Sequence, residues 1–124
     1  MRDKVLSGQL KFGMIGAFAL KDPVRNDVME AVELAKQAGI KVRLVSGDHL
    51  ETAKAVAVEA GILTKDDEKQ GTYPVVTGDE FEEMVGTDED GTVKDRGAFK
   101  EIVMDLRVLA RAKPHHKRMI VSGL

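Results

Sequence analysis

The chain has 124 residues, of which 43% are hydrophobic and 32% charged, with a formal net charge of -2. That length suits one domain with its own core and is short for two. Cysteine is absent, which excludes a disulfide framework and thiolate metal sites and is compatible with the cytosol. No apolar run approaches the roughly 20 residues that cross a bilayer. The charged residues at 2–4 exclude a secretory signal peptide at this N-terminus, so we expect a soluble chain.

The charge is unevenly distributed along the chain. Residues 65–95 contain 11 acidic and 3 basic residues, so the rest of the chain is net positive. One interpretation is a solvated, loop-rich acidic insertion at about 65–95 in a core formed by 11–63 and 72–124. The other is that the basic remainder faces a polyanion such as a nucleotide. Charge alone does not separate the two.

The first half of the chain predicts two strand–helix units. Residues 11–20 are predicted to form a buried strand, followed by a cap and a helix-compatible proline at Asp22-Pro23. Apolar residues at helical spacing then predict a helix that ends at Gly39. Residues 41–45 predict a short strand. The next helix ends at Gly61, and Asp48 and Glu51 are spaced as a capping-box-like pair at its start.

The second half predicts shorter elements. In chain order we expect a strand at 74–77, a helix at 80–85, a mobile turn at 87–93, a helix at 98–106, a strand at 108–110 and a helix opening at Pro114. Alternating strands and helices indicate an α/β fold, with a Rossmann-like, mainly parallel sheet and helices on both faces.

In such sheets a ligand binds beyond the carboxyl ends of the strands. Three segments fall there: Asp22-Pro23-Val24-Arg25, Ser46-Gly47-Asp48 and 111–117. Ser46 offers a hydroxyl, Gly47 lets a ligand approach the backbone, and the N–H groups that open the next helix favour an anion. Taken singly these signals are weak, because a Ser-Gly-Asp turn is usually only a turn and a lysine such as Lys117 is usually solvated.

The order of the segments is more specific. Four blocks follow one another: Asp22-Pro23-Val24-Arg25, 38–48 (AGIKVRLVSGD) continued by 52–62 (TAKAVAVEAGI), 76–84 (VTGDEFEEM) and 107–117 (RVLARAKPHHK). Together they resemble part of the phosphorylation domain of P-type cation-transporting ATPases, closest to the plasma-membrane-type calcium pumps. The resemblance runs from about Phe12 to the C-terminus, apart from the acidic loop.

The resemblance implies a haloacid-dehalogenase-like fold and assigns roles to individual residues. Ser46 stands where the family usually has the threonine of Thr-Gly-Asp, so Ser46, Gly47 and Asp48 would contact a phosphoryl group. Lys117 matches the lysine that neutralises the acyl-phosphate. Arg111 matches an arginine near the nucleotide phosphates, and Asp22 and Arg25 match the hinge towards the nucleotide domain. We interpret the three histidines, His49, His115 and His116, as surface residues and expect no metal site.

Two family motifs are missing from the sequence. The Asp-Lys-Thr-Gly-Thr segment with the phosphorylated aspartate is absent, and so is the Gly-Asp-Gly-x-Asn-Asp segment that helps to hold magnesium. We therefore expect an excised or truncated fragment, inactive alone and with neither ATP nor Mg²⁺ tightly bound, although the parent protein would use both. In the family fold the strand with the phosphorylated aspartate lies beside the one ending at Ser46, so its absence would leave residues 41–45 as an apolar edge that could form homo-oligomers.

The implied parent is a membrane protein with this segment in the cytoplasm. Its partners would be the nucleotide, actuator and transmembrane domains of the pump, and not nucleic acid. Two alternatives remain open. One is a fragment of a soluble phosphatase of the same superfamily, which would share the serine and the lysine. The other is a non-catalytic α/β regulatory module that binds a partner through the acidic loop.

Overall fold

The structure, a computed structural model, describes residues 13–20, 22–70, 74–88 and 90–124. Its described strands form a parallel three-stranded sheet in the order β1-β3-β2, with β1 at Leu44–Val45, β2 at Val75–Thr77 and β3 at Val108–Ala110. In register, Leu44 and Val75 both pair with Val108 on opposite sides of the central strand. This confirms the predicted α/β fold with a parallel sheet, which is small and not closed.

Six helices accompany the strands in the described part of the chain. They are α1 (Val28–Gln37), α2 (Leu50–Glu59), α3 (Lys65–Gln70), α4 (Gly78–Val85), α5 (Arg96–Asp105) and α6 (Pro114–Gly123). Gly39 and Gly61 follow α1 and α2 with positive φ angles of 76° and 70°. The left-handed helix end predicted at Gly39 is confirmed.

The core lies on both faces of the sheet, because successive side chains of a strand point to opposite sides. Val108 and Ala110 of β3 belong to one cluster, with Ala53 and Ala57 of α2. Leu109 belongs to the other cluster, with residues of α4, α5 and α6 (Phe81, Val85, Phe99, Ile102, Met119 and Ile120). The predicted covering of both faces by helices is confirmed.

Several predicted elements of the first half were wrong in extent. Residues 13–20 are exposed and irregular, not a buried strand, because no described strand pairs with them; Lys11 and Phe12 lie outside the described residues. Likewise, the first helix begins at Val28 and not at Pro23, since 23–25 precede a turn closed by the bond from Val28 N to Arg25 O, 3.1 Å long. The strand predicted at 41–45 pairs only at Leu44–Val45.

Most of the acidic region is ordered. It contains α3, which was not predicted, together with β2 and α4 close to the strand and helix predicted at 74–77 and 80–85, and Phe81 and Val85 are completely buried. The predicted turn at 87–93 is closed by an antiparallel bridge between Thr87 and Val93. Among the described residues, no helix has the length and apolar character needed to span a bilayer.

Candidate functional site

The carboxyl ends of β1 and β3 are joined by backbone hydrogen bonds. The N–H of Ala112 donates to Ser46 O at 2.8 Å, and the N–H of Arg111 donates to Asp48 O at 2.9 Å. Because the strands are parallel, the segments that follow them leave the sheet at the same edge. The turn at 46–48 and the loop at 111–112 therefore form one surface, as the order of the motifs predicted.

Within the turn, Ser46 and Asp48 bond to each other. The Ser46 hydroxyl donates to Asp48 Oδ2 at 2.6 Å, and the Asp48 N–H donates to Ser46 Oγ at 3.1 Å. The predicted capping pair of Asp48 with Glu51 was therefore wrong, because the Asp48 carboxylate is bonded to the serine. The N-cap of α2 is His49, which makes no side-chain capping bond.

Neither the backbone conformation nor the packing of the described residues requires a glycine at position 47. Its φ lies outside the left-handed range, and a Cβ at this position would come no closer than 3.8 Å to Ala112 O, an ordinary contact. A side chain would instead occupy the open space above the turn. The turn precedes the start of α2, whose first N–H groups lack a side-chain cap.

Asp22 and Arg25, which the resemblance assigns to a hinge, have different surroundings. Asp22 and Asp48 both line one open groove of about 800 Å³, together with residues of α2. The Arg25 side chain is 81% exposed and contacts Asp27, with 3.4 Å between Nε and Oδ1. The structure thus brings Asp22, but not Arg25, into the same groove as Asp48.

Arg111 and Lys117 follow β3 in sequence. Arg111 is exposed and is the one non-glycine residue with a left-handed backbone among those described, at φ 49°. That conformation costs about 1 kcal/mol or more for an ordinary residue, and it is held by the bond from Arg111 N to Asp48 O. Lys117 is the fourth residue of α6, with an exposed side chain.

The start of α6 is fixed by a set of interactions that the sequence did not predict. Lys113, directly before α6, forms an ion pair with Asp79 of α4, with 2.6 Å between Nζ and Oδ1. This hydrogen bond lowers the pKa of Asp79 and raises that of Lys113. Asp79 and Lys113 carry opposite charges and lie at the starts of two helices that follow neighbouring strands. Their ion pair could therefore have been predicted, but only once the strand order was known.

The interpretation of the three histidines as surface residues was wrong for His116. His116 is completely buried and His115 is partly buried, whereas His49 is exposed. The imidazoles of His115 and His116 both contact Glu82 of α4: its Oε2 lies 2.8 Å from His116 Nε2 and 3.0 Å from His115 Nε2. Hydrogen bonds from His116, His115 and Thr87 lower the pKa of Glu82 to about 2.

A magnesium ion needs several oxygen ligands around it. In the described chain, the one group of three or more side chains close enough to share a metal is Glu82, His115 and His116, which offers two nitrogens and one oxygen donor. Asp48 supplies a carboxylate near the Ser46 turn, but its Oδ2 already accepts the serine hydroxyl. The described residues therefore do not form a magnesium site by themselves.

Comparison with known proteins identifies the family. A sequence model described as a haloacid dehalogenase-like hydrolase matches residues 9–117, which is most of the chain. The chain belongs to this family of haloacid dehalogenase-like hydrolases. Membership agrees with the parallel sheet and with the polar residues at the carboxyl ends of its strands.

Within that family, the chain is similar to calcium pumps. It is 40% identical over 110 residues to plasma membrane calcium-transporting ATPase 4 of Homo sapiens, covering 89% of this chain and 8% of the relative. It is 37% identical over 113 residues to the probable plasma membrane-type calcium-transporting ATPase 9 of Oryza sativa subsp. japonica, and 39% identical over 113 residues to the putative plasma membrane-type calcium-transporting ATPase 7 of Arabidopsis thaliana. In both cases 91% of this chain is covered.

These matches confirm the resemblance to plasma-membrane-type calcium ATPases. The chain spans only 8% to 10% of the length of the three relatives. What those proteins do as a whole is therefore carried to this chain only as a proposal.

Proposed function

We propose that this chain is part of the cytoplasmic phosphorylation domain of an ATP-driven calcium pump, and that it supplies one side of the phosphoryl-binding site. The observation that carries the proposal is the joined edge of the sheet, where the turn at 46–48 is bonded to the loop at 111–112. Similarity to plasma-membrane calcium-transporting ATPases over about nine-tenths of the chain supports the same assignment.

Ser46, Gly47 and Asp48 would receive the phosphoryl group. The Ser46 hydroxyl now donates to Asp48, so it would turn to donate to a phosphoryl oxygen when one is present. The space above Gly47 would admit that oxygen close to the backbone. The Asp48 N–H, which points at Ser46 Oγ, would keep the serine in position during this change.

Lys117 would offset the negative charge of the phosphoryl group. An ammonium group is effective as a point charge beside a phosphoryl oxygen, and it contributes most where charge develops in the transition state. Lys117 is exposed on α6, and the first turn of α6 is fixed to α4 by the Lys113–Asp79 and His116–Glu82 contacts. Arg111, Asp22 and Arg25 would face the nucleotide side of the site.

The complete pump would use ATP and Mg²⁺ and transfer the phosphoryl group to an aspartate. No aspartate of this chain stands in the family's acceptor motif. The chemistry of this chain's residues is therefore binding and charge compensation. The acceptor and the metal ligands would come from other parts of the protein.

Two experiments test the proposal. The purified chain, incubated with labelled ATP and Mg²⁺ and quenched in acid, should retain no label that hydroxylamine releases; retained label would contradict the assignment. In the full-length protein encoded by the parent gene, Lys117→Ala should lower phosphoenzyme formation from ATP at least tenfold, because a single charge of this kind contributes several kcal/mol to a transition state.

The matched controls use the same assay. Ser46→Thr should leave phosphoenzyme formation nearly unchanged, because the hydroxyl is retained. Lys100→Ala removes an exposed lysine of α5 outside the proposed site and should also be silent. Equal loss of activity in Lys100→Ala and Lys117→Ala would mean that Lys117 has no special role. Turnover of simple phosphate esters by the isolated chain would favour a soluble phosphatase instead.

A further inference from the structure

The contact between α4 and α6 contains a cluster of three ionisable side chains whose donor atoms converge. Glu82 Oε2 and the Nε2 atoms of His115 and His116 belong to a group in which all ligand atoms lie within 4.8 Å of one another. The two imidazole rings are 3.9 Å apart between centroids and inclined by 65°. We propose that Glu82, His115 and His116 form a binding site for a divalent transition-metal ion of the Zn²⁺ class.

The distances suit such an ion with little rearrangement. Zinc bonds of about 2.0–2.1 Å in tetrahedral geometry place neighbouring ligand atoms about 3.3 Å apart. Glu82 Oε2 lies 2.8 Å and 3.0 Å from the two imidazole nitrogens. These two contacts would each lengthen by a few tenths of an ångström to admit the ion, and the two nitrogens, which lie within 4.8 Å of each other, would close around it.

The site is rigid on one side and open on the other. His116 is completely buried, and its ring lies directly over Gly78, where any Cβ would overlap the imidazole. This packing fixes the direction of Nε2 before any ion arrives. The side chains of His115 and Glu82 are 38% and 35% exposed, which leaves a path for the ion and room for a water as the fourth ligand.

The donor types select the class of ion. Two imidazole nitrogens and one carboxylate oxygen match zinc and other late divalent metals, whereas Mg²⁺ and Ca²⁺ prefer sites made of oxygen atoms only. Without a metal, the carboxylate satisfies both imidazoles by accepting hydrogen bonds. An ion would replace these two bonds with three coordination bonds.

Binding requires one proton to move. His116 Nδ1 accepts the N–H of Lys113 at 3.2 Å, so the ring proton is on Nε2 in the absence of metal. When Nε2 binds the ion, that proton moves to Nδ1 and the bond from Lys113 is lost. In the contacts described, His115 loses no comparable hydrogen bond when its Nε2 binds the ion, so this nitrogen is the easier ligand. Loss of the Lys113 bond should weaken binding by roughly tenfold.

The experiment is a titration of the purified chain with Zn²⁺ and, separately, with Co²⁺, whose visible absorption reports tetrahedral nitrogen and oxygen ligands. Calorimetry should show one site, and His115→Ala and Glu82→Gln should each weaken Zn²⁺ binding at least tenfold. His49→Ala is the matched control, because His49 is exposed and outside the cluster; it should change the affinity less than twofold.

Three results would contradict the proposed metal site. Absence of saturable binding up to about 0.1 mM free Zn²⁺, equal loss in His49→Ala and His115→Ala, or equally tight binding of Mg²⁺ would each do so. Circular dichroism of each variant excludes unfolding as the cause, and Glu82→Gln keeps the size of the side chain. The readout is metal binding, so a negative result leaves the proposed phosphoryl-binding role untouched, and failure of that role leaves this site untouched.

Discussion

Asp67 shows how a single side chain ties the acidic region to the sheet. Its carboxylate accepts hydrogen bonds from the Thr64 N–H at 2.9 Å and the Thr64 hydroxyl at 2.6 Å, and pairs with Arg107 Nε at 3.0 Å. The Asp67 and Arg107 side chains are only 17% and 22% exposed. Burial raises the pKa of Asp67, but the bonds from Thr64 and the charges of Arg107 and Lys36 outweigh it, so the pKa is lowered.

The contribution of the Asp67–Arg107 pair to the free energy of unfolding should depend on pH. Since the pKa of Asp67 is lower in the folded than in the unfolded chain, its contribution is complete above the unfolded pKa of about 3.9 and is lost as the pH falls through the folded value. Asp67→Asn should therefore lower the free energy of unfolding by about 1–2 kcal/mol at pH 7. The difference in free energy of unfolding between Asp67→Asn and the unmodified chain should shrink steadily below about pH 4.

Urea denaturation between pH 7 and pH 2 measures both quantities. Asp66→Asn is the control, because Asp66 is the exposed neighbour on the same helix. It should match the unmodified chain within about 0.5 kcal/mol at every pH. A constant deficit for Asp67→Asn down to pH 2 would show that the ionised carboxylate is not what stabilises this contact.

At the scale of elements, α4 connects the end of β2 with the start of α6. Thr77, the last residue of β2, forms a capping box with Glu80: the Glu80 N–H donates to Thr77 Oγ1, and the Thr77 N–H donates to Glu80 Oε2 at 2.9 Å. α4 then presents Asp79 and Glu82 to Lys113 and His116. The cap therefore helps to position the helix on which α6 rests.

Thr77→Ala should destabilise the chain by about 1 kcal/mol, because an N-terminal N–H of α4 loses its partner. The midpoint of thermal unfolding should fall accordingly by several degrees. Thr52→Ala provides the comparison, since Thr52 is exposed in the first turn of α2 and alanine favours helix. If the two variants unfolded at the same temperature, the capping box would contribute nothing measurable.

At the scale of the whole molecule, β1 is an edge of the described sheet. The N–H of Leu44 donates to Arg107 O, directly before β3, and the N–H of Ser46 donates to Leu109 O of β3, so the N–H of Val45 points away from that strand. A free strand edge recruits other chains. A second source of association is the segment 13–20, in which Met14, Ile15, Phe18 and Leu20 are 84% to 105% exposed.

We predict that the chain associates through the β1 edge as its concentration rises. Val45→Pro removes the outward N–H without breaking a bond to β3, so it should shift the chain towards monomer in light scattering. Ile15→Lys distinguishes association through the segment 13–20 from association through the β1 edge. If Ile15→Lys abolished association while Val45→Pro had no effect, the chains would not associate through the β1 edge. A monomer at all concentrations for the unmodified chain would contradict the prediction entirely.

The sequence by itself determined the features that depend on near neighbours. Apolar spacing and the glycines at 39 and 61 located α1 and α2, because helix periodicity and left-handed helix ends are local properties. The order of the motifs identified the family and, through the parallel topology, the edge of the sheet where Ser46 and Arg111 meet. That the segments at 46–48 and 111–112 lie at one edge of the sheet was therefore accessible from sequence.

Only the tertiary structure decided which side chains find distant partners. Residues 13–20 are apolar like a strand, yet a strand forms only where another strand accepts its hydrogen bonds. His116 looks like a surface residue beside Lys117, but Gly78 of another helix leaves the space that buries it. Glu82 contacts two histidines more than 30 residues away, because packing of α4 on α6 sets those distances.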